Sequence, residues 1–275
     1  MKDLGTILRI NDIDQALSEF NKIKELGFNT CHLVYKPKVY LASDAEKLKQ
    51  ASVCSGVKIV AFFAGYNDNF TKWDIYGDYK IAGINSKKYG RARIRYIKKA
   101  SAFAKLIGVK KILIHAGFVS NNPFSSEYKH TKKVIGSFAK YLKQLDLELL
   151  LETGGESPVT MLRLIEEINL GNIYTNLDTA NLIMYGYGNP KDAVVTLKDY
   201  IKSVHVKDGT PPTTYTNIGK ETKVGYGSVD FIGVFEQLKK NDFDGDVIIE
   251  REITGKEKQQ DLVDTIKYLR EHIKI

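Results

Sequence analysis

Eight short apolar runs recur along the chain, each followed by a stretch whose apolar residues repeat at helical spacing. No other feature narrows the fold as far. The runs are Leu4–Ile10, Asn29–Tyr35, Lys58–Ala64, Lys110–Ala116, Leu147–Glu152, Ile173–Asp178, Ile201–Val206 and Asp246–Glu250. Between and after them lie Asp14–Leu26, Ser43–Ser55, Ser86–Ile107, Glu127–Leu145, Thr160–Ile168, Pro190–Tyr200, Val229–Lys240 and Asp261–His272, all of helical pattern. Runs that are apolar throughout, instead of alternating, read as strands buried on both faces, as in parallel sheets. Repeated βα units build such a sheet, and eight of them point to an α/β fold closed into a (β/α)8 TIM barrel. An open doubly wound sheet would more often carry a glycine-rich phosphate turn after its first strand, and none is there. No linker-like shift in composition divides the chain, so residues 1–275 read as a single domain.

Other classes are set aside by composition. No stretch approaches the roughly 18 apolar residues of a membrane helix. The segment Met1-Lys2-Asp3-Leu4-Gly5 lacks a signal-peptide core. Cys31 and Cys54 are too few for a metal-ligand pattern and read as buried thiols, which points to a reducing cytoplasm. The net charge of +8 invites a nucleic-acid reading. The cations are spread along helices, however, as in Lys22, Lys24, Lys47 and Lys49, and read as solvated faces. A small-molecule substrate without a nucleic-acid partner is expected, and a homo-oligomer, dimer or tetramer, is compatible with the chain.

In a barrel the C-terminal ends of the strands face one mouth, so residues far apart in sequence converge there. Glu152 ends the fifth run, Asp178 the sixth and Glu250 the eighth, with His205 near the end of the seventh. A carboxylate buried at a strand end costs several kcal/mol unless something meets it, and three together raise one another's pKa. A divalent cation removes that penalty. Three oxygen ligands with one imidazole suit Mn²⁺, Mg²⁺, Co²⁺ or Zn²⁺, of which Mn²⁺ is the first choice.

The motifs Leu-Leu-Glu152, Asn176-Leu-Asp178, His205-Val-Lys-Asp208, Gly225-Tyr-Gly227-Ser-Val-Asp230 and Ile-Ile-Glu250 resemble those of the xylose-isomerase-like barrels over nearly the whole chain. The branch they resemble is that of sugar and sugar-phosphate isomerases and epimerases, D-tagatose 3-epimerase among them. The resemblance implies one metal held by Glu152, Asp178, His205 and Glu250, with Glu152 and Glu250 also the catalytic acid/base pair. Such an enzyme takes a proton from the carbon beside a carbonyl, passes through a metal-stabilised enediolate, and returns the proton to either face or to the neighbouring carbon. A dehydratase of the inosose or dehydroshikimate type, expelling a β-hydroxyl, is the alternative. A DNA-repair reading of the endonuclease IV type is weaker. The family often has Asp-x-x-His after strand six, whereas here Asp178 is followed at that spacing by Asn181.

Further substrate contacts are expected from His115, Asn181, Glu156, Trp73 and Arg251. His115 either bonds substrate or sits behind the ligands, and Glu156 either contacts a hydroxyl or is a plain helix-start acid. Alternation turns Arg251 away from Glu250. Lys207 and Asp208 read as ion-pairing partners behind the ligands, Arg91 and Arg93 as structural salt bridges, and Gly225 and Gly227 as a tight turn before a Ser228 cap. The long loop Gly65–Gly83, with Trp73 and several other aromatic residues, reads as a substrate lid or a dimer contact. His32 is expected in the pocket wall or core, and His130 and His272 on the surface.

Overall fold

The computed structural model describes residues 3–65 and 83–274. Eight parallel strands close a barrel: β1 (Leu4–Leu8), β2 (Thr30–Val34), β3 (Lys58–Phe63), β4 (Lys111–His115), β5 (Glu148–Glu152), β6 (Ile173–Asp178), β7 (Ile201–Val206) and β10 (Asp246–Ile249). Around the barrel they run β1-β10-β7-β6-β5-β4-β3-β2, so each strand sits beside its neighbour in the chain and the last pairs with the first. This is the predicted (β/α)8 barrel.

Helices α1 (Ala16–Glu25), α2 (Ala45–Ser55), α3 (Gly90–Ile107), α4 (Ser126–Gln144), α5 (Pro158–Ile168), α7 (Pro190–Leu197), α8 (Phe231–Lys240) and α9 (Lys256–Tyr268) cover the outside. Their starts follow local chemistry. Ser157 accepts from the amide of Thr160 ahead of Pro158, and Asn189 accepts from Lys191 ahead of Pro190. In both, a capping side chain precedes a proline whose missing N–H would have had no partner anyway. Outward strand residues pack with the helices in one large core that includes Phe20, Phe28, Phe138 and Phe231. Inside the barrel, Ile7, Val60, Phe63, Leu113, Leu150 and Ile248 form a smaller apolar plug. The polar residues described next lie at the strand ends above that plug.

Two elements lie beyond the sequence pattern. A four-residue helix, α6 (Asn181–Met184), follows β6 directly. The polar stretch after β7 contains an antiparallel pair, β8 (Asp208–Thr210) with β9 (Lys220–Thr222). Asp208 builds this turn. Its Oδ1 accepts from the amides of Gly209 (2.8 Å) and Val229 (3.2 Å), and its Oδ2 from Gly225 and Gly227 (both 2.9 Å). A Cβ on Gly227 would fall 2.1 Å from Asp208 Oδ1, so only glycine lets the backbone come this close. The glycines thus serve a turn, as expected, but Asp208 is its acceptor and no ion-pair partner of the ligands. The α8 cap is Asp230, accepting from Gly233, and not Ser228. Helix α9 starts at Lys256, five residues ahead of the predicted Asp261. Cys31 is buried as expected, whereas Cys54 is exposed.

Candidate metal centre

Glu152, Asp178, His205 and Glu250 converge. Each is buried, and each offers one ligand atom such that all four atoms lie within 4.8 Å of one another. Among the described residues this is the one such cluster. Strand register makes it: Asp178 pairs with His205 across β6 and β7, His205 with Ile248 across β7 and β10, and Glu152 with Asn176 across β5 and β6.

Nδ1 of His205 faces the three carboxylates, 2.8 Å from Glu152 Oε1, 3.2 Å from Glu250 Oε2 and 4.0 Å from Asp178 Oδ2. Despite these distances it meets none of them in hydrogen-bond geometry, and neither does Asp178 Oδ2 find a hydrogen-bond partner. The other Asp178 oxygen is occupied, accepting from the amides of Ala180 (2.9 Å) and Asn181 (2.7 Å) at the start of α6. One carboxylate oxygen is thereby fixed to the backbone while its twin makes no hydrogen bond inside the cluster. Buried polar atoms without partners are uncommon in proteins, and atoms arranged around a common centre suit a coordinated cation. The residues present therefore fit a divalent ion.

With the protein's own charges alone, the cluster divides its protons unevenly. Burial pushes the Asp178 carboxyl up to about 8, with Lys207 opposing and Glu250 and Glu152 adding to the rise. Burial also works against charge on His205, but the Glu152 and Glu250 carboxylates outweigh it and lift the imidazole to about 10. For Glu152 burial is outweighed by His115 and His205, which hold it at about 2. Glu250 is held well below the usual range, against burial, by Lys207 and His205.

The surroundings sort the remaining candidates. His115 Nε2 lies 2.9 Å from Glu152 Oε2, so His115 reaches a carboxylate of the cluster directly. Lys207 is buried, 3.6 Å from Glu250 Oε2, 3.8 Å from Asp178 Oδ2 and 3.3 Å from Asn181 Oδ1, and it also donates to Glu252. Its expected place beside the ligands holds. Asn181 donates to the Thr153 carbonyl at 3.3 Å and packs against Gly154. Glu156 is fully buried, its Oε1 without a hydrogen-bond partner, and burial pushes its carboxyl up to about 8. Arg251 is not brought to the cluster. Its guanidinium is engaged by Asp261 at 2.8 Å and Glu221 at 3.1 Å, because strand alternation turns it outward while Glu250 turns in. Arg93 donates to the Gly83 carbonyl at 2.8 Å. Trp73 and most of the Gly65–Gly83 loop lie outside the described residues. His130 is half-buried, bonded to the Asn85 carbonyl at 3.0 Å, and His272 is exposed as expected.

One contact of the cluster has no mark in the sequence. His32 on β2 is buried in the barrel as predicted, but its Nδ1 lies 3.0 Å from His205 Nε2.

Compared with known proteins, residues 20–272 match the profile of the xylose isomerase-like TIM barrel. The chain belongs to that family. No curated protein sequence matches it. Among solved structures, a xylose isomerase domain protein from Planctomyces limnophilus is 24% identical, covering 99% of this chain and 98% of its own, with a TM-score of 0.86. A D-tagatose 3-epimerase-like protein is 19% identical (99% and 97% covered, TM-score 0.75). The apo form of the 3-keto-D-glucoside 4-epimerase YcjR from E. coli is 18% identical (98% and 100% covered, TM-score 0.72). At these identities the likeness to the three structures is one of fold.

Proposed function

We propose that this xylose isomerase-like barrel is a divalent-metal-dependent isomerase or epimerase of sugars or sugar phosphates. Glu152, Asp178, His205 and Glu250 would hold the ion, Mn²⁺ foremost. The observation that carries the reading is the convergence of four buried ligand atoms within 4.8 Å, with Asp178 Oδ2 and His205 Nδ1 lacking hydrogen-bond partners. Two of the similar structures bear epimerase names, for a 3-keto-D-glucoside and for a D-tagatose 3-epimerase-like protein, which supports a carbohydrate substrate. The two free cysteines suit a cytoplasmic enzyme.

When bound, the ion would polarise a substrate carbonyl and acidify the adjoining C–H bond. The protein's own groups do the rest. Glu152 is oriented by His115 and Glu250 by Lys207, and both stay ionised at neutral pH, as a base must. One takes the proton from the carbon beside the carbonyl. Inversion of that centre requires the other glutamate to take a proton from solvent and deliver it to the opposite face while the first releases its own to solvent. Return of the abstracted proton by the first glutamate to the neighbouring carbon exchanges aldose for ketose. His115, Asn181 and Glu156 border these carboxylates and are assigned to substrate hydroxyls.

One observation favours the dehydratase alternative. Glu156 is buried beside the cluster with Oε1 free of hydrogen bonds, and burial pushes its carboxyl up to about 8; a buried neutral carboxyl can protonate a departing β-hydroxyl. A single experiment separates the two. Mn²⁺-loaded protein is incubated with a broad ketose panel in deuterated water and followed by NMR. Deuterium beside the carbonyl in an otherwise intact sugar supports the isomerase. An ultraviolet-absorbing enone supports the dehydratase, and no exchange with any ketose overturns the isomerase reading.

A further inference from the structure

The structure assigns His32 and Ser203 a joint role as a hydrogen-bonded relay that fixes the tautomer of His205 and strengthens it as a metal ligand. This inference rests on the metal-centre reading above. Nδ1 of His205 is the nitrogen turned to the three carboxylates, so it is the atom that would ligate. A ligating nitrogen is unprotonated, and a neutral imidazole keeps its single proton on the other nitrogen. That proton sits on Nε2, whose neighbour is His32 Nδ1 at 3.0 Å. His32 must then accept there, which puts its own proton on Nε2. Ser203 Oγ lies 3.3 Å from that nitrogen and accepts it.

Each direction follows from the one before, and all three side chains have 0% exposure, so solvent offers no substitute partner. The relay also crosses the barrel. His32 stands on β2 and its two partners on β7, with β1 and β10 between them. Ser203 and His205, two residues apart, share the inward face of one strand, and the His32 ring sits between their two polar atoms. A metal-bound histidine usually gives its second N–H to a carboxylate or backbone carbonyl, and loss of such a partner costs about 10–100-fold in metal affinity. Here a neutral imidazole fills that place, an acceptor only in one tautomer, which must itself be set. Ser203 sets it.

Mn²⁺ titration calorimetry and histidine ¹⁵N NMR of the full chain test the relay. His32→Phe keeps the ring volume and removes the acceptor, and is expected to weaken Mn²⁺ binding about 10–100-fold. His32→Gln, whose amide oxygen can still accept, is expected to recover most of the loss. In Zn²⁺-loaded wild-type protein, His205 and His32 should both carry their protons on Nε2, with His32 Nδ1 as a hydrogen-bonded acceptor. Unchanged Mn²⁺ affinity in folded His32→Phe, or a proton on His32 Nδ1, overturns the relay and leaves the metal centre standing. Wild-type protein that binds no divalent ion overturns both. Should His32→Phe fail to fold, the wild-type tautomers decide.

Discussion

Loading the cluster with Mn²⁺ is expected to expel about two protons at pH 7. Ligand atoms must be free of protons to coordinate, and burial and neighbouring charge favour protons on two of the four groups. Asp178, pushed up to about 8, and His205, lifted to about 10, are both mainly protonated at pH 7. Glu152 and Glu250 contribute none, since both are held below the usual carboxylate range. The charges close on the same figure. With Lys207 charged, one protonated histidine, one neutral aspartic acid and two carboxylates sum to zero. A divalent ion with three carboxylates, a neutral histidine and Lys207 sums to zero again, so one ion trades for two protons. The sign is fixed: protons compete with the metal, and affinity falls as pH falls. Below about pH 7 the association constant should rise about 100-fold per pH unit, easing to about 10-fold between pH 8 and 10 as only His205 remains to be deprotonated. Calorimetric titration in buffers of different ionisation enthalpy reads the proton count directly. Release of less than one proton at pH 7, or an affinity flat from pH 6 to 8, would refute this charge balance even if the ion binds.

Four further outcomes are expected. His205→Ala and Glu152→Gln should each lose most bound metal by elemental analysis while keeping the circular dichroism of a folded barrel; undiminished metal in both removes the site. Leu150→Ala, which opens the apolar plug beneath the cluster, should cost about 2–5 kcal/mol in urea unfolding. Asp208→Ala strips four backbone amides of their acceptor and should cost about 3 kcal/mol, with faster hydrogen exchange at residues 208–229. Arg251→Ala should lower the melting temperature through the lost Glu221 and Asp261 pairs yet leave Mn²⁺ affinity unchanged; weakened binding would place Arg251 nearer the cluster than its ion pairs allow.

The barrel is legible in the sequence because its signal is repeated. One apolar run before a helix is ambiguous, but eight in alternation leave few closed architectures, and each strand end then predicts its neighbour in space. The same logic exposes Glu152, Asp178, His205 and Glu250, since a strand buried on both faces has no reason to end on a charge unless that end faces a shared mouth. What stays hidden depends on closure, not on periodicity. His32 lies in Thr30-Cys31-His32-Leu33 with nothing nearby to mark it. Its partner stands 173 positions along the chain, and only the pairing of β1 with β10 brings β2 round to β7. Asp208 misleads for the opposite reason. Beside His205 and Lys207 its charge looks like part of the site, whereas its oxygens are taken by amides that the glycine turn delivers from residues 225–229. Adjacency in sequence thus overstates Asp208, and it gives the place of His32 without its contact with His205. The two have one cause: along a strand the faces alternate, so the spatial neighbours of a cluster residue are the inward residues of other strands. Asn176 is such an inward residue: it is buried in register with both Glu152 and Ser203 and has no hydrogen-bond partner for either amide atom among the described residues.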